Sequence, residues 1–219
     1  MGITDLLGKY GGQYFEALLT TWRLTAVSFA AAFLIGILIT VARVSPIRPL
    51  RFFGDLYVQV FRNIPGAALL ILLVYALPYL QVVRPYDVCV TAATILIPSA
   101  FASEHLMSGM NTIAPGQIEA ARSLGLTFLQ MIRRIIIPQA LRSSVLPMTN
   151  LLVATMLTTS LASQVPMRPR ELTGLVSYIN THDTGGVMAF VISAALYCLT
   201  ALAIGRIGSL VDRKVRILR

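Results

Sequence analysis

Residues 18–42 read LLTTWRLTAVSFAAAFLIGILITVA, an apolar run interrupted by a single charge at Arg23. A helix that crosses a bilayer needs roughly 20 predominantly apolar residues, since its backbone polar groups must be satisfied internally where water is absent. This run meets that requirement. It closes in ARVSPIRPLR (42–51), where two prolines and three arginines forbid an apolar helix from continuing. The fold class follows by extending the same reading along the chain. A second segment covers 52–80, with FRNIP (61–65) near its start and Pro78 near its end. Further apolar helices are expected over 86–110, 144–165 and 187–210.

Composition supports a membrane protein throughout. The chain has 219 residues, of which 56% are hydrophobic and only 12% charged, and its mean hydropathy is +0.76. These values exclude an ordinary soluble domain. The expectation is an all-α integral membrane protein of five transmembrane helices, forming one membrane domain over 1–219 with no room for a large soluble unit. A net charge of +9 would suggest nucleic acid in a soluble protein. Here the placement of the charges matters more, and no nucleic-acid partner is expected.

Five helices put the termini on opposite sides. Basic residues concentrate in 43–51 (Arg43, Arg48, Arg51), in 111–143 (Arg122, Arg133, Arg134, Arg142) and near the C-terminus (Arg206, Arg213, Lys214, Arg216, Arg219). The other side holds Lys9, Arg84, Arg168 and Arg170, with Arg23 and Arg62 ambiguous. Since basic loops stay in the cytoplasm, the N-terminus is expected outside and the C-terminus inside. Asp5, Lys9 and Glu16 precede the first apolar run and no short apolar region with a small-residue cleavage site follows, so no cleaved signal peptide is expected. Cys89 and Cys198 lie in apolar runs without metal-like spacing and read as buried small hydrophobes. There is no Gly-rich loop ending in Gly-Lys-Ser/Thr and no HExxH, so neither catalytic nor metal-binding residues are assigned and the chain is not read as an enzyme.

Polar residues on apolar helices mark candidate pathways. In the fourth helix Thr155, Thr159 and Ser163 share a four-residue spacing, with Asn150, Thr158, Ser160 and Gln164 nearby. The same hydroxyls also suit bonding to their own backbone or to neighbouring helices. Glu104 and His105 suit an interfacial role better than a proton relay, Asp55 and Arg62 suit an ion pair, and His182 and Asp183 suit a solvated turn.

Residues 115–143 are amphipathic and basic, much longer than a turn requires. Two short helices are expected, over 117–124 and 126–137. Pro115-Gly116 breaks the preceding helix, Gly125 permits a sharp change of direction, and Pro138 and Pro147 limit the second helix. Glu119 is placed in the opening turn, where a carboxylate suits the helix dipole, and Ala120 and Ala121 leave room for another protein to approach.

The arrangement Glu119-Ala120-Ala121, three residues, Gly125, nine residues, then Ile135-Ile136-Ile137-Pro138 resembles the EAA motif of permease subunits of ATP-binding cassette (ABC) importers. FRNIP resembles the RGTP or RNTP of the polar amino-acid uptake branch. SGMNTIAPGQIEAARSLGL (108–126) is most similar to permeases of bacterial glutamate uptake systems. The resemblance implies a type I ABC importer permease fold in a bacterial inner membrane, with 115–143 as the cytoplasmic coupling segment. Glu119, Ala120, Ala121, Gly125 and Pro138 would then meet the ATPase. It implies a cytoplasmic ABC ATPase dimer that binds ATP and Mg while this chain binds no cofactor, and an extracytoplasmic amino-acid-binding protein. A second permease subunit is also implied, since five helices contain no inverted repeat. Two departures bear on the substrate. Leu157-Thr158-Thr159-Ser160 lacks the branch's lysine, and Met107-Ser108-Gly109 lacks its arginine. Both point to a heterodimer in which the partner permease supplies more of the substrate site. Competing classes are a self-sufficient channel or ion-coupled carrier, for which intramembrane acids or inverted repeats are expected, and a non-transporting adaptor whose hairpin recruits a soluble protein.

Overall fold

A computed structural model describes residues 2–215; Arg216 and Arg219, counted above among the cytoplasmic charges, lie outside the described residues. The all-helical architecture is borne out, with no strand among the described residues. Among the described residues, four helices are long and apolar enough to cross a membrane, and a bent pair provides a fifth crossing if it counts as one.

Helix α1 runs Ile3–Arg43, fifteen positions earlier than the apolar run over 18–42. Leu6, Tyr10, Tyr14 and Ala17 recur at helical spacing and are buried against Leu172, Leu175, Ile179 and Ala189. Asp5, Lys9, Gln13 and Glu16 occupy the other face and hide this stripe from a test of mean hydropathy. Further along, Ser28, Ala32, Gly36 and Thr40 repeat every four residues and are all buried. They lie against α4 (Tyr86–Met110). A Cβ on Gly36 would run into Ala102 and the backbone of Ser99 and Ser103, so the helices touch almost backbone to backbone. Ser28 Oγ meets Thr94 Oγ1 at 2.7 Å, and the Thr40 hydroxyl donates to Ser103 Oγ at 3.1 Å. Small residues and hydroxyl pairs hold helices together where lipid removes the hydrophobic driving force between them.

The helix expected over 52–80 is instead broken. Helix α2 (Arg48–Asn63) and the stretch Gly66–Leu80 bend by 102°. Pro65 has no N–H and holds Ile64 in an extended conformation, φ −84° and ψ 128°. The two pieces still follow α4 from end to end. Tyr57 bonds Ser99 Oγ, Gly66 faces Ile97, and Leu70 and Val74 pack with Cys89, Val90 and Ala93. The second piece comprises α3 (Gly66–Ile71), a π-helical turn at Leu72–Ala76 and a 3-10 turn at Leu77–Leu80. The π turn precedes Pro78 because widening the helix moves the carbonyl that the proline ring would strike.

The fourth crossing joins α8 (Val145–Thr158) to a 3-10 stretch at Thr159–Gln164. Helix α9 (Leu172–His182) then lies against the start of α1, and α10 (Gly186–Val215) returns across the membrane. Most of α10 faces outward, with Val187, Phe190, Leu199 and Leu202 exposed. Cys89 is buried as expected. Cys198 instead lies exposed on α10, because a helix apolar all round does not reveal which side meets protein.

Candidate functional site

At the end of α4 the chain leaves the membrane helices and forms a hairpin. Helix α5 spans Pro115–Ser123. Leu126 N–H donates to the Ala121 carbonyl and Gly125 N–H to that of Arg122, while Gly125 adopts φ +74°. These bonds form a Schellman close, which a glycine satisfies without steric cost. Thr127 then caps the next helix, with its N–H donating to Gln130 Oε1 at 2.8 Å and its hydroxyl accepting from Gln130 N–H. The Thr-x-x-Gln capping box was readable in the sequence and would have placed the restart two residues later than 126.

The second arm runs farther than expected. Helix α6 (Phe128–Met131), a π turn at Ile132–Ile136 and α7 (Ile137–Ser143) follow without interruption. Pro138 therefore lies inside the arm rather than ending it. The π turn clears its ring, and Ile137 N–H reaches back five residues to Ile132. Two further expectations change. Glu119 is the fifth residue of α5, beyond its first turn, because the helix starts at Pro115. Ala121 is buried in the chain's own fold, whereas Glu119 and Ala120 are exposed. The outward surface therefore includes Glu119, Ala120, Gly125 and two exposed leucines, Leu124 and Leu129, beside the exposed Gln117 and Arg122.

The hairpin is fastened to the membrane helices. A Cβ on Gly109 would strike Ser144 Oγ and the Ala140 carbonyl, so α4 and α7 meet at contact distance. Ser144 donates to the His105 carbonyl at 2.9 Å, and Gln139 bridges to Gln117 at 2.8 Å. One turn away lies a chain of four charges. Arg43 reaches Asp55 at 2.8 Å and Glu104 at 2.8 Å, and Glu104 also holds Arg62 at 2.9 Å. Asp55 and Arg62 are thus members of one network without pairing directly, and the carboxylate of Glu104 spans guanidiniums from α1 and α2.

At the opposite end, Lys9 pairs with Asp183 at 2.6 Å, which ties α1 to the α9–α10 turn and lowers the Asp183 pKa. His182 bonds Thr181 and the Tyr178 carbonyl, as a turn residue would. Glu171 is fully buried and caps α9, accepting from Thr173 N–H, Gly174 N–H and the Tyr197 hydroxyl. Burial pushes its pKa up, and the three donors offset part of that rise. Ser163, Gln164, Arg168, Arg170 and Tyr178 border a cavity of about 380 Å³ beside it, with the Arg170 guanidinium 4.0 Å from the Tyr178 ring centre.

The polar row proposed for the fourth helix does not form one surface. Thr155 and Thr159 are buried and donate to the Leu151 and Met156 carbonyls. Thr158 donates to Ala154, and Ser163 to Ser160 at the cavity edge. Asn150 lies separately, in a groove beside α10. A four-residue spacing assigns a common face only while the pitch is constant, and here the helix tightens to 3-10 at Thr159.

Residues 32–217 match the family model described as "Binding-protein-dependent transport system inner membrane component". The chain belongs to that family. This permease is 31% identical to the glutamate transport system permease protein GluC of Corynebacterium efficiens, over 96% of its own length and 98% of the relative's. It is 28% identical to the L-cystine transport system permease protein TcyB of Bacillus subtilis, over 94% and 85%. Among solved structures, it superposes on a chain of an amino acid ABC transporter with histidines at a TM-score of 0.87 and 26% identity, covering 98% and 99% of the two chains. A chain of the inward-facing MetNI methionine ABC transporter gives 0.76 at 20% identity, which supports the type I importer fold alone. The named relatives are transport permeases, and this permease is a multi-pass membrane component of its family.

Proposed function

We propose that this permease carries a polar amino acid, with glutamate or a relative such as glutamine or aspartate as substrate, into a bacterial cell by alternating access. The observation that carries the reading is the hairpin, which presents Glu119, Ala120, Gly125 and two leucines outward while Gly109 and Ser144 fasten its second arm to α4. Such a part can transmit a push from a soluble ATPase that binds ATP and Mg, since packed elements shift as units. Residues 1–219 act as one membrane domain, with 115–143 as its cytoplasmic coupling unit. The distribution of basic loops supports an N-terminus outside and a C-terminus inside.

The substrate class rests on the names of the relatives, which include glutamate and L-cystine permeases. Thr158 and Ser163 are the pathway residues retained on α8 and its 3-10 extension, with Thr155 and Thr159 behind them fixing the helix through backbone bonds. A second, different permease completes the pathway, because Leu157 and Met107 stand where the branch carries basic residues. An extracytoplasmic binding protein delivers the substrate.

The test is uptake of radiolabelled amino acids by the reconstituted complex, with and without the binding protein. Accumulation of glutamate or a relative that requires ATP and binding protein is expected. ATP-independent flux would instead favour a carrier, and an ATPase complex that transports nothing would favour an adaptor.

A further inference from the structure

A groove of about 600 Å³ runs between α8 and α10, at the end of the molecule that carries the hairpin. Its walls combine Leu146 from α8 and Leu202 and Leu210 from α10, all exposed, with the polar side chains of Thr149, Asn150 and Ser209. Its floor is fixed by Gly208, where a Cβ would collide with Thr149, so the two helices touch there. Beside that contact Gly205 leaves open space, since a Cβ on it would meet nothing within 4 Å.

Arg206 and Arg213 line the same groove. They are seven residues apart, two turns along one face, or about 10 Å along the axis. Arg206 is the first charge after the uncharged stretch 187–205, which puts it where hydrocarbon gives way to headgroups. Neither arginine has an ion-pair partner among the described residues. Asp212 follows the helix about 100° away from Arg213 and does not line the groove.

We infer that this groove binds an anionic phospholipid, with an acyl chain in the slot beside Gly205 and the phosphate between Arg206 and Arg213. Charge and depth select this occupant. The leucines beside Gly205 fit a chain, and two guanidiniums at headgroup level, without an ion-pair partner among the described residues, fit a phosphodiester. The competing occupant is the other permease of the proposed pair, which crosslinking distinguishes from lipid. The inference needs only the membrane embedding of the chain and is independent of its substrate.

Native mass spectrometry of the delipidated intact transporter, with added phosphatidylglycerol or phosphatidylcholine, tests it. Retention of phosphatidylglycerol over phosphatidylcholine is expected, and Arg206→Gln with Arg213→Gln should cut it about tenfold or more. Arg206→Lys with Arg213→Lys should restore most of the preference, which separates loss of charge from misfolding. Gly205→Leu, which fills the slot and keeps both arginines, should also lose the lipid. Equal retention of the two lipids would overturn the proposal, as would displacement by glycerol phosphate at matched concentration, since the slot would then contribute nothing. Leu202→p-benzoylphenylalanine, irradiated in native membranes, should crosslink to lipid; a crosslink to a second permease chain would show the groove to be a subunit interface.

Discussion

Glu171 and Asp183 flank the eleven-residue α9, one at each end, and respond to pH in opposite directions. Burial raises the Glu171 pKa above 4.5. Its folded form therefore holds a proton more tightly than the unfolded chain, and the stability this adds is complete below pH 4.5 and is lost as pH rises through the raised value. Asp183 has its pKa lowered from 3.8 by Lys9, so its contribution persists above pH 3.8 and disappears as pH falls through the lowered value. Hydrogen-exchange protection over α9 should thus rise as pH drops from neutrality toward 4.5. In Glu171→Gln that rise should flatten, with a loss of about 1 kcal/mol from the weaker helix cap; an unchanged pH profile in the variant would refute the assignment. Glu104 gives a second prediction at this scale. Glu104→Gln leaves Arg43, whose side chain is 12% exposed, without one of its two carboxylates. Because Glu104 is itself 30% exposed, the cost should be about 1–2 kcal/mol rather than that of a fully buried pair, read as a lowered thermal midpoint in detergent.

The elements show what could be read in the sequence and what could not. The apolar runs at 86–110 and 187–210 declare themselves because lipid demands an uninterrupted run, and α4 and α10 occupy them. The first third of α1 was hidden because a stripe of Leu6, Tyr10, Tyr14 and Ala17 finds its cover in α9, more than 150 residues away. The two π turns were equally invisible. Pro78 and Pro138 each look like stops, yet each follows a five-residue π turn beginning six positions earlier, and one proline alone does not tell a break from a bulge. The hairpin's turn was legible, because Gly125 alone supplies a left-handed position there. Gly125→Ala should therefore cost about 1–2 kcal/mol locally. It should loosen the Schellman close while leaving the crossings intact, seen as faster exchange over α5 with an unchanged overall helical signal. Gly36→Val tests the seam between α1 and α4 in the same way. Overpacking against Ala102 and Ser99 should cost about 1–3 kcal/mol in global stability, whereas an unaffected thermal midpoint would mean that the helices are free to separate.

At the scale of the molecule, the parts define two ends with different tasks. One end joins the start of α1 to α9 through Lys9–Asp183 and the buried cluster around Leu172. The other joins the ends of α1, α2 and α4 through four charges and carries the hairpin. The proposed orientation predicts that a cysteine at Thr184 reacts with a membrane-impermeant reagent added outside intact cells, and one at Ser123 only after the inner face is opened. Coupling makes the stronger demand. If the outward surface of α5 receives the ATPase and the Gly109–Ser144 contact passes its motion to α4, the two functions separate by mutation. Glu119→Lys, at an exposed position, should weaken capture of the ATPase without altering the fold. Gly109→Val should force α4 away from Ala140 and Ser144, keep the ATPase bound through the untouched face of α5, and reduce uptake about tenfold while hydrolysis continues. Loss of the bound ATPase in Gly109→Val would show that the contact merely shapes the docking surface, and full uptake would show that the force travels by another route, of which the continuous path from α7 through Ser144 into α8 is the nearest.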